Sequence, residues 1–211
     1  MATATFAQLK DWLARNIGET DSTSVDTAGA ALINDAHKEL SSRFPFNCNL
    51  TVGSDLTIAG NSATLPSDFD YSHKNEIEIY SYSGTTKTEY KSITPSEKSR
   101  YGSTDYVFYI DEKNSCVKSN QSSATLSLDY YAIPEVMSDD GDTTNFPVPK
   151  AISMLAAGDY WSDFEEEEDR ADKKYSKAEM LFMQAIERNK IERNYGLKFR
   201  GLNGNNNTKT T

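Results

Sequence analysis

The chain has 211 residues, 37% of them hydrophobic and 11% aromatic, enough to build one or two buried cores. Its formal net charge is -10, from 32 acidic and 22 basic residues, which argues against a nucleic-acid clamp because phosphate binding needs a concentrated positive field. No apolar run reaches the roughly 18 residues of a membrane span, and no charged start leads into an apolar block, so neither a membrane partner nor a signal peptide is expected.

Residues 4 to 17 predict an amphipathic helix with Phe6, Leu9, Leu13 and Ile17 on one stripe and Trp12 beside it. Thr5 and Gln8 have the spacing of a capping box, and Gly18 is a natural stop. A second helix is expected from about Ser24 to Ser42, with a small inward face of Ala28, Ala31, Leu32, Ala36 and Leu40. It ends at Phe44-Pro45-Phe46, because the residue before proline avoids helical geometry.

From Asn47 the apolar period changes to two. Leu50 and Val52, Leu56 and Ile58, Ala63 and Leu65, and Ile77 and Ile79 alternate with polar residues. Further strands are expected at 87–93, 106–110 and 124–131, with one turn of helix at 95–101. Ser54-Asp55, Gly60-Asn61 and Ser83-Gly84 read as turns. Short strands at this spacing predict an antiparallel sheet or small sandwich.

A polar loop, Met137 to Asn145, leads to a helical stretch from Phe146 to Arg193. Pro147 and Pro149 open it. Ile152, Leu155, Ala156, Tyr160 and Phe164 form one stripe, and Ala171, Tyr175, Ala178, Leu181, Phe182, Ala185 and Ile186 form another. One unbroken helix would span roughly 66 Å. A break at the acidic run Glu165-Glu166-Glu167-Glu168-Asp169 and an antiparallel pair are therefore expected. Met180 and Met183 flank the second stripe and offer a further apolar face.

The end of the chain is rich in Gly and Asn, which predicts disorder in isolation. Yet Tyr195, Leu197, Phe199 and Leu202 alternate like a strand able to lie in a partner's groove. From Ile186 onward there are six basic residues, Arg188, Lys190, Arg193, Lys198, Arg200 and Lys209, against Glu187 and Glu192. A basic tail on an acidic body points to an acidic partner.

Signals for chemistry are weak. Cys48, Cys116, His37 and His73 lack zinc-ligand spacing and read as two packed, reduced cysteines and two surface histidines. Asp139-Asp140-Gly141-Asp142 lacks the alternate-residue order of a calcium loop. Asp68, Ser72 and His73 are adjacent, but triads assemble in space rather than in sequence. There is no nucleophile elbow, phosphate loop or dinucleotide fingerprint. No catalytic residue, cofactor or metal ligand is assigned, and an enzyme is not expected. Nine tyrosines between Tyr71 and Tyr131 fit half-buried sheet positions and an interface equally well.

The order of these pieces resembles the head-to-tail adaptor, or connector, proteins of tailed bacteriophages. The resemblance rests on two helices ending at Phe44-Pro45-Phe46, then Ala63-Thr64-Leu65-Pro66-Ser67-Asp68-Phe69, then Tyr130-Tyr131-Ala132-Ile133-Pro134. The acidic loop Asp139 to Asp142, Pro147, Pro149 and a helix carrying Tyr175 and Leu181 follow. It implies an α+β fold: a bundle of N- and C-terminal helices, an inserted antiparallel β domain and an extended C-terminal tail. The expected boundaries are 1–46, 47–134, 135–194 and 195–211.

The resemblance further implies a virion protein of the neck, assembled in the host cytoplasm. Such adaptors form rings of about twelve copies between the portal and the tail or nozzle proteins. DNA passes through the lumen without specific binding. Portal contact is expected at Arg193, Tyr195, Leu197, Lys198, Phe199, Arg200 and Leu202, and ring contact at Met154, Trp161, Met180 and Met183. The alternative is a monomeric module whose tyrosine-rich β region recognises a glycan or a protein.

Overall fold

The computed structural model describes residues 3–19, 25 and 27–202, with side chains through 191. In chain order the elements are β1 (Ala4–Thr5), α1 (Phe6–Ile17), α2 (Thr27–Ser42), β2 (Leu50–Ala59), β3 (Ser62–Thr64), β4 (Glu78–Ser83) and β5 (Thr86–Glu89). Then come β6 (Lys91–Ser92), β7 (Val107–Asp111), β8 (Cys116–Ser119), β9 (Ser123–Tyr131), β10 (Thr143–Thr144), α3 (Lys150–Asp163) and α4 (Glu168–Leu202). Contacts divide the chain into a helical unit, 1–48 with 135–211, and a β unit, 49–134.

The helical unit is built on α3. Eight of its residues are buried, Ala151 to Ser153, Leu155 to Gly158 and Trp161, because α1, α2 and α4 all pack against it. Helix α1 starts with the capping box: the Gln8 N–H donates to Thr5 Oγ1 at 3.2 Å and the Thr5 N–H to Gln8 Oε1 at 3.0 Å. It ends at Gly18, whose φ of 91° is left-handed and costs glycine nothing. In α2 the buried face is Gly29, Ile33, Ala36, His37 and Leu40, while Ala31 is exposed. The expected alanine face is thus rotated by about one residue; burying Ile33 removes more apolar surface than burying Ala31.

Helix α3 stops at the acidic run. Glu166 has φ 53°, and the Glu167 N–H donates to the Trp161 carbonyl at 2.9 Å, turning the chain into α4. Contacts across the pair run in opposite order: Arg170 lies over Trp161, Tyr175 bonds Asp159, and Arg188 donates to the Pro147 carbonyl. The helices are therefore antiparallel. Phe46 joins Phe146 and Phe182 at ring separations of 4.8 and 5.9 Å, so the end of α2, the entry to α3 and the middle of α4 meet in one aromatic core.

Helix α4 continues through Leu202, so residues 195–202 are helical rather than extended. Tyr195, Phe199 and Leu202 are also spaced four and three apart, and adding a residue to an existing helix is far easier than starting a new element. The rest of the expected tail, 203–211, lies outside the described residues.

The β unit is a sheet of eight strands in the order β5-β4-β9-β2-β3-β8-β7-β6. Its two edges are consecutive in sequence. Up to Tyr90, whose N–H donates to the Ile79 carbonyl, the segment pairs with β4. From Lys91 it pairs with β7 instead. One stretch of chain therefore bridges the two ends of the sheet and nearly closes it into a barrel. The β6–β7 pairing is parallel, a departure from the all-antiparallel expectation.

The interior holds Leu56, Ile58, Ile79, Phe108, Val117, Leu126 and Leu128. Leu50 and Val52 are exposed. The β2–β9 register shifts by one residue between Thr51 and Ser54, and a one-residue shift moves every following side chain to the other face. Ser54-Asp55 is therefore part of a bulged strand, not a turn, whereas Gly60 and Asn61, at φ 59° and 66°, form the β2–β3 hairpin turn.

Candidate interaction surface

The residues with catalytic or metal-binding character are occupied in separate structural roles. Asp68 accepts from the Tyr130 hydroxyl at 2.9 Å, and Asp70 caps a short turn by accepting from the Ser72 N–H. His73 is buried beside Asp70, and Ser72 is exposed. Both histidines are buried, not on the surface as the sequence suggested. His37 reaches Thr144 Oγ1 from Nε2 at 3.0 Å, and burial pulls its pKa down to about 4. Cys48 and Cys116 are not joined in a disulfide. Asp142 accepts from the N–H groups of Ser138 and Asp139, which ties up the carboxylate of the acidic loop and lowers its pKa. Among the described residues no group of three His, Cys, Asp or Glu side chains is placed to share a metal ion, and no helix is long and apolar enough to cross a membrane.

The tyrosines do not form one platform. Tyr80, Tyr90, Tyr130 and Tyr131 are buried in the β unit, and the Tyr80 and Tyr130 hydroxyls bond Asp129 and Asp68. Tyr82 and Tyr106 are the large exposed ones.

The assigned ring-contact residues fall into two groups. Met180 and Met183 are about half exposed on the outer face of α4. Trp161 is only 8% exposed; its indole N–H donates to the Asn16 carbonyl and Arg170 lies 4.6 Å over its ring. Met154 is half-buried near it. Arg193, Tyr195, Leu197, Lys198, Phe199, Arg200 and Leu202 occupy the last turns of the α4 backbone.

Trp161 and Met154 form the floor of a feature that the sequence reading missed. A cleft of about 570 Å³ opens between the end of α1, the middle of α3 and the start of α4. Its walls carry Arg15, Arg170, Lys173, Lys174 and Lys177, and none of its lining side chains is acidic. A smaller hollow beside it adds Lys150. Asn16 holds the cleft together: its carbonyl accepts from Trp161 and its side-chain oxygen from Lys174 Nζ at 2.9 Å. Burial without a carboxylate partner lowers the Lys174 pKa. The signal was present in the spacing of 170, 173, 174 and 177, which shares one helix face, but the count of charges by segment hid it behind the acidic run.

The described residues combine a helical bundle with a β unit, and their distinctive surfaces are a basic cleft and exposed methionines on α4. The family model described as SU10 adaptor protein matches residues 4–200, and the chain belongs to that family. It is a structural adaptor of the bacteriophage virion. No curated protein matches the chain.

Proposed function

We propose that the chain is a head-to-tail adaptor that assembles as a ring, about twelve copies on the family pattern, between the portal and the tail or nozzle proteins. The family match over almost the whole chain carries this reading. The ring lengthens the DNA channel of the neck. A net charge of -10 suits that role, since a negative wall repels phosphate and lets DNA pass. Assembly takes place in the host cytoplasm.

Portal contact belongs to the end of α4, where Arg193, Lys198 and Arg200 stand in an otherwise acidic chain among Tyr195, Leu197, Phe199 and Leu202. Met180 and Met183 add apolar area at a ring interface. Truncation after Asn194 tests the portal assignment. Among the α4 residues whose side chains are described, the last buried one is Asn189, before the cut, so the fold and melting temperature are expected to be retained while portal binding is lost. Unchanged portal binding by the folded, truncated chain overturns it.

A further inference from the structure

The basic cleft has a counterpart on the opposite side of the same unit. Asp163 lies nine residues beyond Met154, which at 3.6 residues per turn is about half a turn around α3. Met154 and Trp161 line the cleft, whereas the helical spacing turns Asp159 and Asp163 away from it. There they meet Asp35 and Glu39 of α2, close enough that all three neighbours push the Asp159 pKa upward, after burial as the main cause. Helix α1 contributes to the basic flank and α2 to the acidic one, with α3 between them.

We propose that the cleft of Arg15, Arg170, Lys173, Lys174 and Lys177 receives the Asp35, Glu39, Asp159 and Asp163 face of a second copy of this chain. The proposal rests on the ring reading above and supplies its interface. A closed ring needs a heterologous contact, in which two different and complementary patches lie on opposite flanks of each subunit. This unit has one cationic and one anionic flank. The anionic flank carries like-charge repulsion at Asp159, the cationic one buries Lys174 without a carboxylate partner although Arg170 pairs with Glu167, and each flank is relieved by the other. Met154, half-buried, gives the cationic side an apolar lining that the contact shields from water. Duplex DNA is a poorer occupant, because the chain's net charge of -10 repels phosphate.

Charge reversal by pairs tests the proposal. Lys173, Lys177, Asp35 and Glu39 are exposed, so reversing them leaves the core untouched. The chain is followed by sedimentation and native mass spectrometry at low and high salt, alone and with the portal ring. The wild type associates, more weakly at high salt. K173E/K177E and D35K/E39K each keep the wild-type helical spectrum and lose association at least tenfold. Mixing the two variants restores it, because alternating copies again place opposite charges across every interface; two misfolded chains would not rescue each other.

If the wild type forms rings and the variants do so equally well, the interface lies elsewhere and the proposal falls while the ring reading stands. A wild type that stays monomeric both alone and on the portal overturns both. If the cleft variant instead loses binding to a short DNA duplex with self-association unchanged, the cleft is a nucleic-acid site and the proposal is wrong.

Discussion

The Tyr175 ring lies directly against Gly158: a β-carbon added at that glycine would stand 2.4 Å from Tyr175 Cε1. The contact sets how closely α3 and α4 approach, and the Tyr175 hydroxyl completes it by donating to Asp159 Oδ1 at 3.0 Å. Burial and that carboxylate together push the Tyr175 pKa up to about 12. Gly158→Ala therefore forces the two helices apart and costs about 1–3 kcal/mol in urea unfolding. In a Tyr175→Leu background the same change costs much less, because the clashing ring is gone. Equal costs in both backgrounds would contradict this packing.

His37 makes stability depend on pH. Its folded pKa, about 4, lies below the unfolded value of 6.5, so between these values the unfolded chain binds more protons. Stability falls as pH drops through 6.5 and the loss is complete below about 4, at on the order of 3 kcal/mol for this group. Urea unfolding at pH 7.5 and 4.5 checks it. His37→Gln shows a smaller difference between the two pH values than the wild type does.

Much of the helical unit was legible because helices are local. The capping box at Thr5 and Gln8, the stop at Gly18 and the break at the acidic run each depend on a few neighbouring residues. The α+β class followed from the change of period near Asn47. The near-closure of the sheet was not legible, because one segment changes partner from β4 to β7 at Tyr90 and nothing local announces a partner. The bulge at Gly53 reversed the faces of Leu50 and Val52, which a period of two cannot foresee. Trp161, expected at a ring contact, is enclosed by Asn16 and Arg170, partners that lie on two other helices and so are not announced locally. The basic cleft needs three helices to exist, so only its α4 row was open to sequence reading.

Asp129 holds that bulge in place. Its Oδ1 accepts from the Gly53 N–H at 2.8 Å and from the Tyr80 hydroxyl at 2.9 Å. Asp129→Ala leaves both donors without this acceptor and lowers stability by about 1–3 kcal/mol. Asp129→Asn, which keeps an acceptor oxygen, loses less; equal losses would argue against the two hydrogen bonds.

Phe46 ties the end of α2 to the C-terminal helices. It is fully buried against Phe146 and Phe182. Phe46→Ala is expected to cost about 3–5 kcal/mol, read from denaturant midpoints, whereas Phe164→Ala at an exposed position stays within about 0.5 kcal/mol.

The most direct test of the adaptor account is the mass of the complex formed when the purified chain is mixed with the portal ring of its own virus. The account predicts one saturated species, with a fixed number of copies set by the symmetry of the portal. A chain that remains monomeric and unbound at saturating portal would contradict it.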